Sequence, residues 1–113
     1  MISPEIAFEQ ILHSIKPILI KSGFSEIERK SHPEAFGSCY ITFSDEREFI
    51  RLVWDGKEGW FVIESMPVSS LTPGWIDILL QFFKPNTDDS SVTEEIAEDM
   101  KIALSNYLGS EYL

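Results

Sequence analysis

Few side chains in this sequence combine the type and spacing that chemistry needs. His13, His32 and the single cysteine, Cys39, are the usual metal ligands and nucleophiles, but they stand apart, with no C-x-x-C, H-E-x-x-H or H-x₃-H arrangement. A dedicated metal site is therefore not expected. Cys39 with a histidine could formally make a nucleophile pair, yet the cysteine falls within a strand-like stretch on its apolar parity, where a thiol behaves as a small hydrophobe. The six glycines, at 23, 37, 56, 59, 74 and 109, form neither G-x-G-x-x-G nor G-x-x-x-x-G-K, so no nucleotide cofactor is signalled. Asp88-Asp89-Ser90 lacks the alternating ligands, central glycine and terminal glutamate of a calcium loop. Carboxylate pairs such as Asp45 with Glu48 or Asp55 with Glu58 are commonplace in a chain of 19 acids. The expectation is a protein that is not an enzyme and holds no cofactor or metal.

Two features point instead to binding. The first is residues 51–64, RLVWDGKEGWFVIE. Asp55 to Gly59 supplies two glycines in five residues, which suits a hairpin loop, and pairing Trp54 with Trp60 across it would set Leu52 opposite Val62. In that register Ile50, Leu52, Trp54, Trp60 and Val62 share one face, and Phe49, Val53, Phe61 and Ile63 the other. A small antiparallel sheet ordinarily covers one face with helices and leaves the other polar, so a second apolar face must be covered or serve as an interface. The plainer expectation is that helices divide between the faces or a tail covers the tryptophans. If the tryptophans are exposed, Trp54 and Trp60 are the anchors of a protein interface, with Arg51, Asp55, Lys57 and Glu58 as its polar rim.

The second feature is charge. The net charge of -10 is distributed as 0, -4 and -6 over residues 1–33, 34–85 and 86–113. Glu94, Glu95, Glu98 and Asp99 form an acidic arc near the C-terminal end, its first-turn glutamates opposing the positive end of a helix dipole and Glu98 and Asp99 extending a surface that could steer a basic partner. The same charge disfavours nucleic acid, whose phosphates need lysine and arginine to displace their counterions.

The elements that position these residues follow from pattern. Ser3 caps and Pro4 opens a helix to about Ser22, with Ile6, Phe8, Ile11, Leu12, Ile15, Ile18 and Leu19 at helical spacing and Gly23 as terminator. Pro17 predicts a kink or an early stop. Residues 24–32 alternate only loosely and read as an edge strand at most. Residues 38–43, 48–54 and 60–65 read as strands of a meander, with Cys39, Ile41 and Phe43 on one face of the first. Thr72-Pro73 as cap and N1, with Ile76, Leu79, Leu80 and Phe83, predict a short helix ending at Lys84-Pro85. After a polar loop, Ser91 and Glu94 make a capping box for a helix to Leu108 that packs by Val92, Ile96, Met100, Ala103, Leu104 and Tyr107. The fold class is α+β in a single domain, residues 1–113: an N-terminal helix, a three- or four-stranded antiparallel meander and two C-terminal helices.

The chain is long enough for one core, and its longest nearly apolar run, Trp75 to Phe83, is far short of the roughly 20 residues that span a bilayer. With no signal-peptide pattern and one cysteine, a soluble, cytoplasmic protein is expected.

A short acidic α+β chain with an early helix, a meander carrying R-L-V-W-D-G-K-E-G-W-F and closing helices resembles, in type, the small immunity proteins of bacterial toxin systems. The resemblance carries no residue roles. It implies a cytoplasmic inhibitor that occludes the active surface of a cognate toxin, and acidity suits a nuclease toxin with a basic cleft. Two alternatives stand beside it. One is a self-associating structural or adaptor domain whose tryptophan face closes on its twin as a homodimer. The other is a small-ligand site between sheet and helices using Tyr40, His13 or Trp75.

Overall fold

The computed structural model describes residues 2–69, 74–83 and 90–109. Seven elements follow in chain order: α1 (Pro4–Lys21), β1 (Ser25–His32), β2 (Ser38–Ser44), β3 (Glu48–Asp55), β4 (Trp60–Pro67), β5 (Ile76–Phe82) and α2 (Ser90–Leu108). The architecture is α+β, with every strand paired antiparallel to its sequence neighbour in one sheet ordered β1-β2-β3-β4-β5.

α1 begins where its cap chemistry places it. The Ser3 hydroxyl accepts the backbone N–H of Ile6, and Pro4 fills the first turn, where no intrahelical donor is needed. Pro17 does not stop the helix, which continues to Lys21. Pro17 lies on the exposed side, so the carbonyl that loses its donor there can turn to water, while Ile15 and Leu19 on the other side are locked in the core. The helix then closes with a Schellman motif: Phe24 N–H bonds the Leu19 carbonyl at 2.9 Å and Gly23 N–H that of Ile20 at 3.0 Å. Gly23 sits at φ 89°, which explains the glycine, and the motif buries Phe24 against Leu19's end of the core.

The largest departure from the sequence pattern is β5. Residues 76–83 were expected as a helix because 76, 79, 80 and 83 match its spacing, but a short apolar run fits a buried strand equally well. The free edge of β4 decides it: pairing Trp60 with Phe82, Val62 with Leu80 and Ile63 with Leu79 satisfies a whole row of backbone groups. Among the described residues the sheet therefore has five strands rather than three or four, and one helix rather than two follows it. The expected cap at Thr72-Pro73 and the stop at Lys84-Pro85 lie outside the described residues, as does most of the polar loop before α2. α2 opens at Ser90, one residue ahead of the expected cap Ser91, so Glu94 and Glu95 fall beyond its first turn, which holds no acid.

The hairpin register also differs by one residue. Trp54 pairs with Phe61 and Asp55 with Trp60, so Leu52 faces Ile63 rather than Val62. The loop is four residues, closed by Gly59 N–H on the Asp55 carbonyl at 2.8 Å, with Asp55 Oδ1 accepting from Lys57 and Glu58 N–H, both at 3.1 Å. A one-residue slip sends every β4 side chain to the opposite face. Ile50, Leu52, Trp54, Phe61 and Ile63 now lie together, joined by Ile41 and Phe43 of β2.

Both helices cover that inner face. Ala7, Phe8, Ile11, Leu12, Ile15 and Leu19 of α1 and Ile96, Ala97, Met100 and Leu104 of α2 form one core cluster with it. The helices therefore do not divide between the two faces. They run side by side in the same direction: residues 5–14 and 93–101 line one hollow between them, while Ser22 and Phe24 share another with Tyr107 and Leu108. Arg29 on β1 pairs with Glu9, and Gln81 on β5 donates to Asp99 at 2.9 Å, which seats α1 toward the β1 edge and α2 toward the β5 edge. Tyr107, expected in the core, is 44% exposed; its hydroxyl donates to Glu48 Oε2 at 2.7 Å and lies 3.1 Å from Ser65 Oγ, tying the end of α2 to the sheet. No helix of the described residues is long and apolar enough to cross a membrane.

Candidate functional site

With both helices on one side, the other face of the sheet is left without a helical layer among the described residues. Strand alternation places Tyr40 and Thr42 of β2, Phe49, Arg51 and Val53 of β3, Trp60, Val62, Glu64 and Met66 of β4, and Leu80 and Phe82 of β5 on it. Across β2 to β5 these are mostly apolar or aromatic, which is unusual for the uncovered face of an antiparallel sheet, while Asp55 and Asp77 and, on β1, Glu28 and Lys30 add charge to the same face.

Its most ordered part surrounds Arg51. The guanidinium carbon lies 4.1 Å from the ring centroids of both Tyr40 and Trp75, Nε donates to Thr42 Oγ1 at 3.1 Å, and Nη1 is 3.8 Å from Glu64 Oε1. An arginine so placed gains cation–π attraction from both rings and keeps little rotamer freedom. Tyr40 is fixed in turn by donating to Glu28 at 2.9 Å, and Trp75 leans on Phe49 with ring centroids 6.4 Å apart. Burial pushes the Glu64 carboxyl up from its ordinary pKa; Arg51 opposes this and Asp77 adds to it. Burial likewise raises the Tyr40 phenol, and its bond to Glu28 adds to the rise. Beside the stack is a hollow of about 270 Å³ lined by Ile27, Thr42, Phe49, Arg51, Met66 and Trp75, among others. Toward the β5 edge, Trp60 meets Phe82 edge-on at 5.4 Å, and Phe82 is 68% exposed.

The structure separates the residues expected at an interface into three groups. Arg51, Asp55 and Trp60 share the outer face, with Lys57 and Glu58 exposed at the adjoining hairpin tip. Trp54 is not an interface anchor: it is 4% exposed on the inner face, packed on Phe61 at 4.7 Å and Phe83 at 5.9 Å. Glu98 and Asp99 lie on α2, across the sheet from the other group, and both are engaged, Glu98 with Lys101 at 3.4 Å and Asp99 with Gln81. Phe49, Glu64, Trp75 and Phe82 complete the outer face without having been singled out for it. Trp75 and Phe82 were hidden by the helical reading of their segment; strand parity would have placed Phe82 beside Trp60.

Cys39 is half-buried at the margin of the core, and desolvation raises its thiol pKa, with Arg29 opposing and Glu5 adding. The chain matches no family model, no curated protein and no solved structure.

Proposed function

We propose that the chain is a non-catalytic protein-binding domain that presents the outer face of its sheet to a basic protein partner, in the manner of an immunity protein holding a cognate bacterial toxin in the cytoplasm. The observation that carries this reading is the packing of both helices on one face, which leaves Phe49, Trp60, Trp75 and Phe82 on the other. Aromatic side chains and arginine are the residue types that dominate interface energetics, because they bury much area for little lost rotamer freedom. Arg51 is already immobilised by Tyr40, Trp75 and Thr42, so a partner that covers it spends little on ordering it. The net charge of -10 favours encounter with a basic surface, such as the substrate cleft of a nuclease.

Co-expression with a toxin encoded by a neighbouring gene tests this. The wild-type chain should protect cells and bind the purified toxin, and Trp60→Ala combined with Phe82→Ala should abolish both, whereas Glu98→Ala on the helical layer should retain them. Equal protection by all three chains, or no toxin gene beside this one, would remove the proposal. Light scattering on the free protein reads the competing occupant: a dimer that the Trp60→Ala, Phe82→Ala pair dissolves would assign the face to a second copy of the chain.

A further inference from the structure

On the opposite side of the molecule, the seam between α1 and α2 opens into a groove of about 750 Å³. Its lining includes Ile6 and Ala97, with Glu5, Glu9, Glu94 and Glu98 along the two helices. Acids on helix surfaces are ordinary, and Glu5 in the first turn of α1 is partly accounted for by the helix dipole. Three further observations set this seam apart. Ile6 is 51% exposed within it, an apolar surface with nothing laid over it among the described residues. Thr93, which lines the groove, is wholly buried, yet its Oγ1 has no hydrogen-bond partner among the described residues. A buried hydroxyl left unmade costs about 1–3 kcal/mol unless something else supplies the bond. Finally, the charges are unevenly matched. Glu9 is paired with Arg29 and Glu98 with Lys101, while no ion pair to a described cation involves Glu5 or Glu94.

The parallel course of the helices gives the groove a direction. Glu5, Thr93 and Glu94 lie toward the N-terminal ends of both helices, and His13 and Lys101 lie two turns further along. The carboxylates that pair with no described cation therefore gather at one end, and Lys101, already paired with Glu98, lies toward the other, with apolar surface between. We propose that the seam is a binding site for a small amphipathic organic cation, a protonated primary amine on a hydrocarbon stem. The ammonium sits between the Glu5 and Glu94 carboxylates, and the stem lies on Ile6 and Ala97. Thr93 lies at the ammonium end, where a ligand N–H gives its hydroxyl oxygen a donor. The dimensions favour a small molecule over a docked helix: the span from Glu5 to Ser14 is about 14 Å of helix axis, and the volume is in the range of small-ligand pockets.

The inference is independent of the protein-binding face, which lies across the sheet. Amide spectra of the ¹⁵N-labelled full chain, titrated with hexylammonium, hexanol and hexanoate at equal ionic strength, test it. Hexylammonium should shift amides of residues 5–14 and 93–101 saturably, hexanol should bind at least about fivefold more weakly, and hexanoate should not bind. Glu5→Gln with Glu94→Gln should weaken hexylammonium about fivefold, and near-isosteric Thr93→Val about twofold, each with the dispersed spectrum of a folded chain. Equal affinity for hexanol, binding of hexanoate, unchanged affinity in the double variant, or shifts outside the seam would each overturn the proposal.

Discussion

Trp54 and Trp60 are six residues apart in one hairpin and meet opposite fates. Trp54 points inward, against Phe61 and Phe83, under both helices. Trp60 points outward, against Phe82, on the face that no helix among the described residues covers. Both belong to the same ladder, in which Trp54 pairs with Phe61 and Asp55 with Trp60, so only the parity of the register divides them. Both faces of the sheet carry aromatic and aliphatic groups, the outer one interrupted by Arg51, Glu64 and the charged residues of β1, and they differ above all in what lies over them. Hydrophobicity of a strand face therefore does not tell whether it is core; the number of helices and the side from which they pack do.

The sharpest way to break this comparison is to truncate each tryptophan. Trp54→Ala should cost about 3–5 kcal/mol, enough to unfold a small domain of ordinary stability, whereas Trp60→Ala should cost less than about 1 kcal/mol. Urea titration followed by far-ultraviolet circular dichroism measures both. Similar losses would mean that something covers the outer face in the free protein and that it is a second core. Acrylamide quenching should agree, with Trp54 fluorescence protected and Trp60 accessible.

A smaller effect probes how the hairpin tip is held. Gly56 N–H donates to Ser38 Oγ at 2.9 Å, and a Cβ on Gly56 would lie 1.9 Å from the backbone oxygen of Phe36 in the β1–β2 loop. The two loops at this end of the sheet are thus packed backbone to backbone. Gly56→Ala should force them apart at a cost of about 1–3 kcal/mol, between the two tryptophan variants, while leaving the outer aromatic face in place. Thermal unfolding of that variant, read beside Trp60→Ala, separates damage to the frame from damage to the face.

How much of this was legible in the sequence depends on whether local chemistry or a distant partner decided each element. α1 was readable because Ser3, Pro4 and Gly23 fix its ends by bonds made within a few residues. The strands at 38–44, 48–55 and 60–67 were readable from β-branched and aromatic runs between turn residues. The segment 76–82 was not, because its pattern fits two periods and the free edge of β4 made the choice. The register was not, because two glycines in Asp55-Gly56-Lys57-Glu58-Gly59 accommodate either a four- or a five-residue loop, and symmetry of the tryptophans pointed to the wrong one. Those two errors account for the site. The slipped register put Trp60 with Trp54 and across the sheet from Arg51, whose face it shares, and the helix withheld Trp75 and Phe82 from both.

The finest test of the contrast concerns charge, since the inner face buries no carboxylate among its core residues and the outer face half-buries Glu64 beside Arg51. Burial raises the folded pKa of Glu64 above its unfolded value, so in the interval between the two the native chain binds more protons than the unfolded chain. Stability therefore falls as pH rises through that interval, and this contribution stays lost at neutral pH. Glu64→Gln should flatten that part of the stability profile relative to wild type. Arg51→Leu should steepen it, because the cation that now opposes the shift is gone, and should cost about 1–2 kcal/mol at pH 7 through loss of the Tyr40 and Trp75 contacts and the Thr42 bond. The steepening needs Arg51 and Glu64 to be coupled on a face dry enough for charge to matter. Parallel profiles in all three chains would mean that water reaches Glu64 freely, so that Arg51 is held by its aromatic neighbours alone and the outer face is open surface rather than a preformed patch.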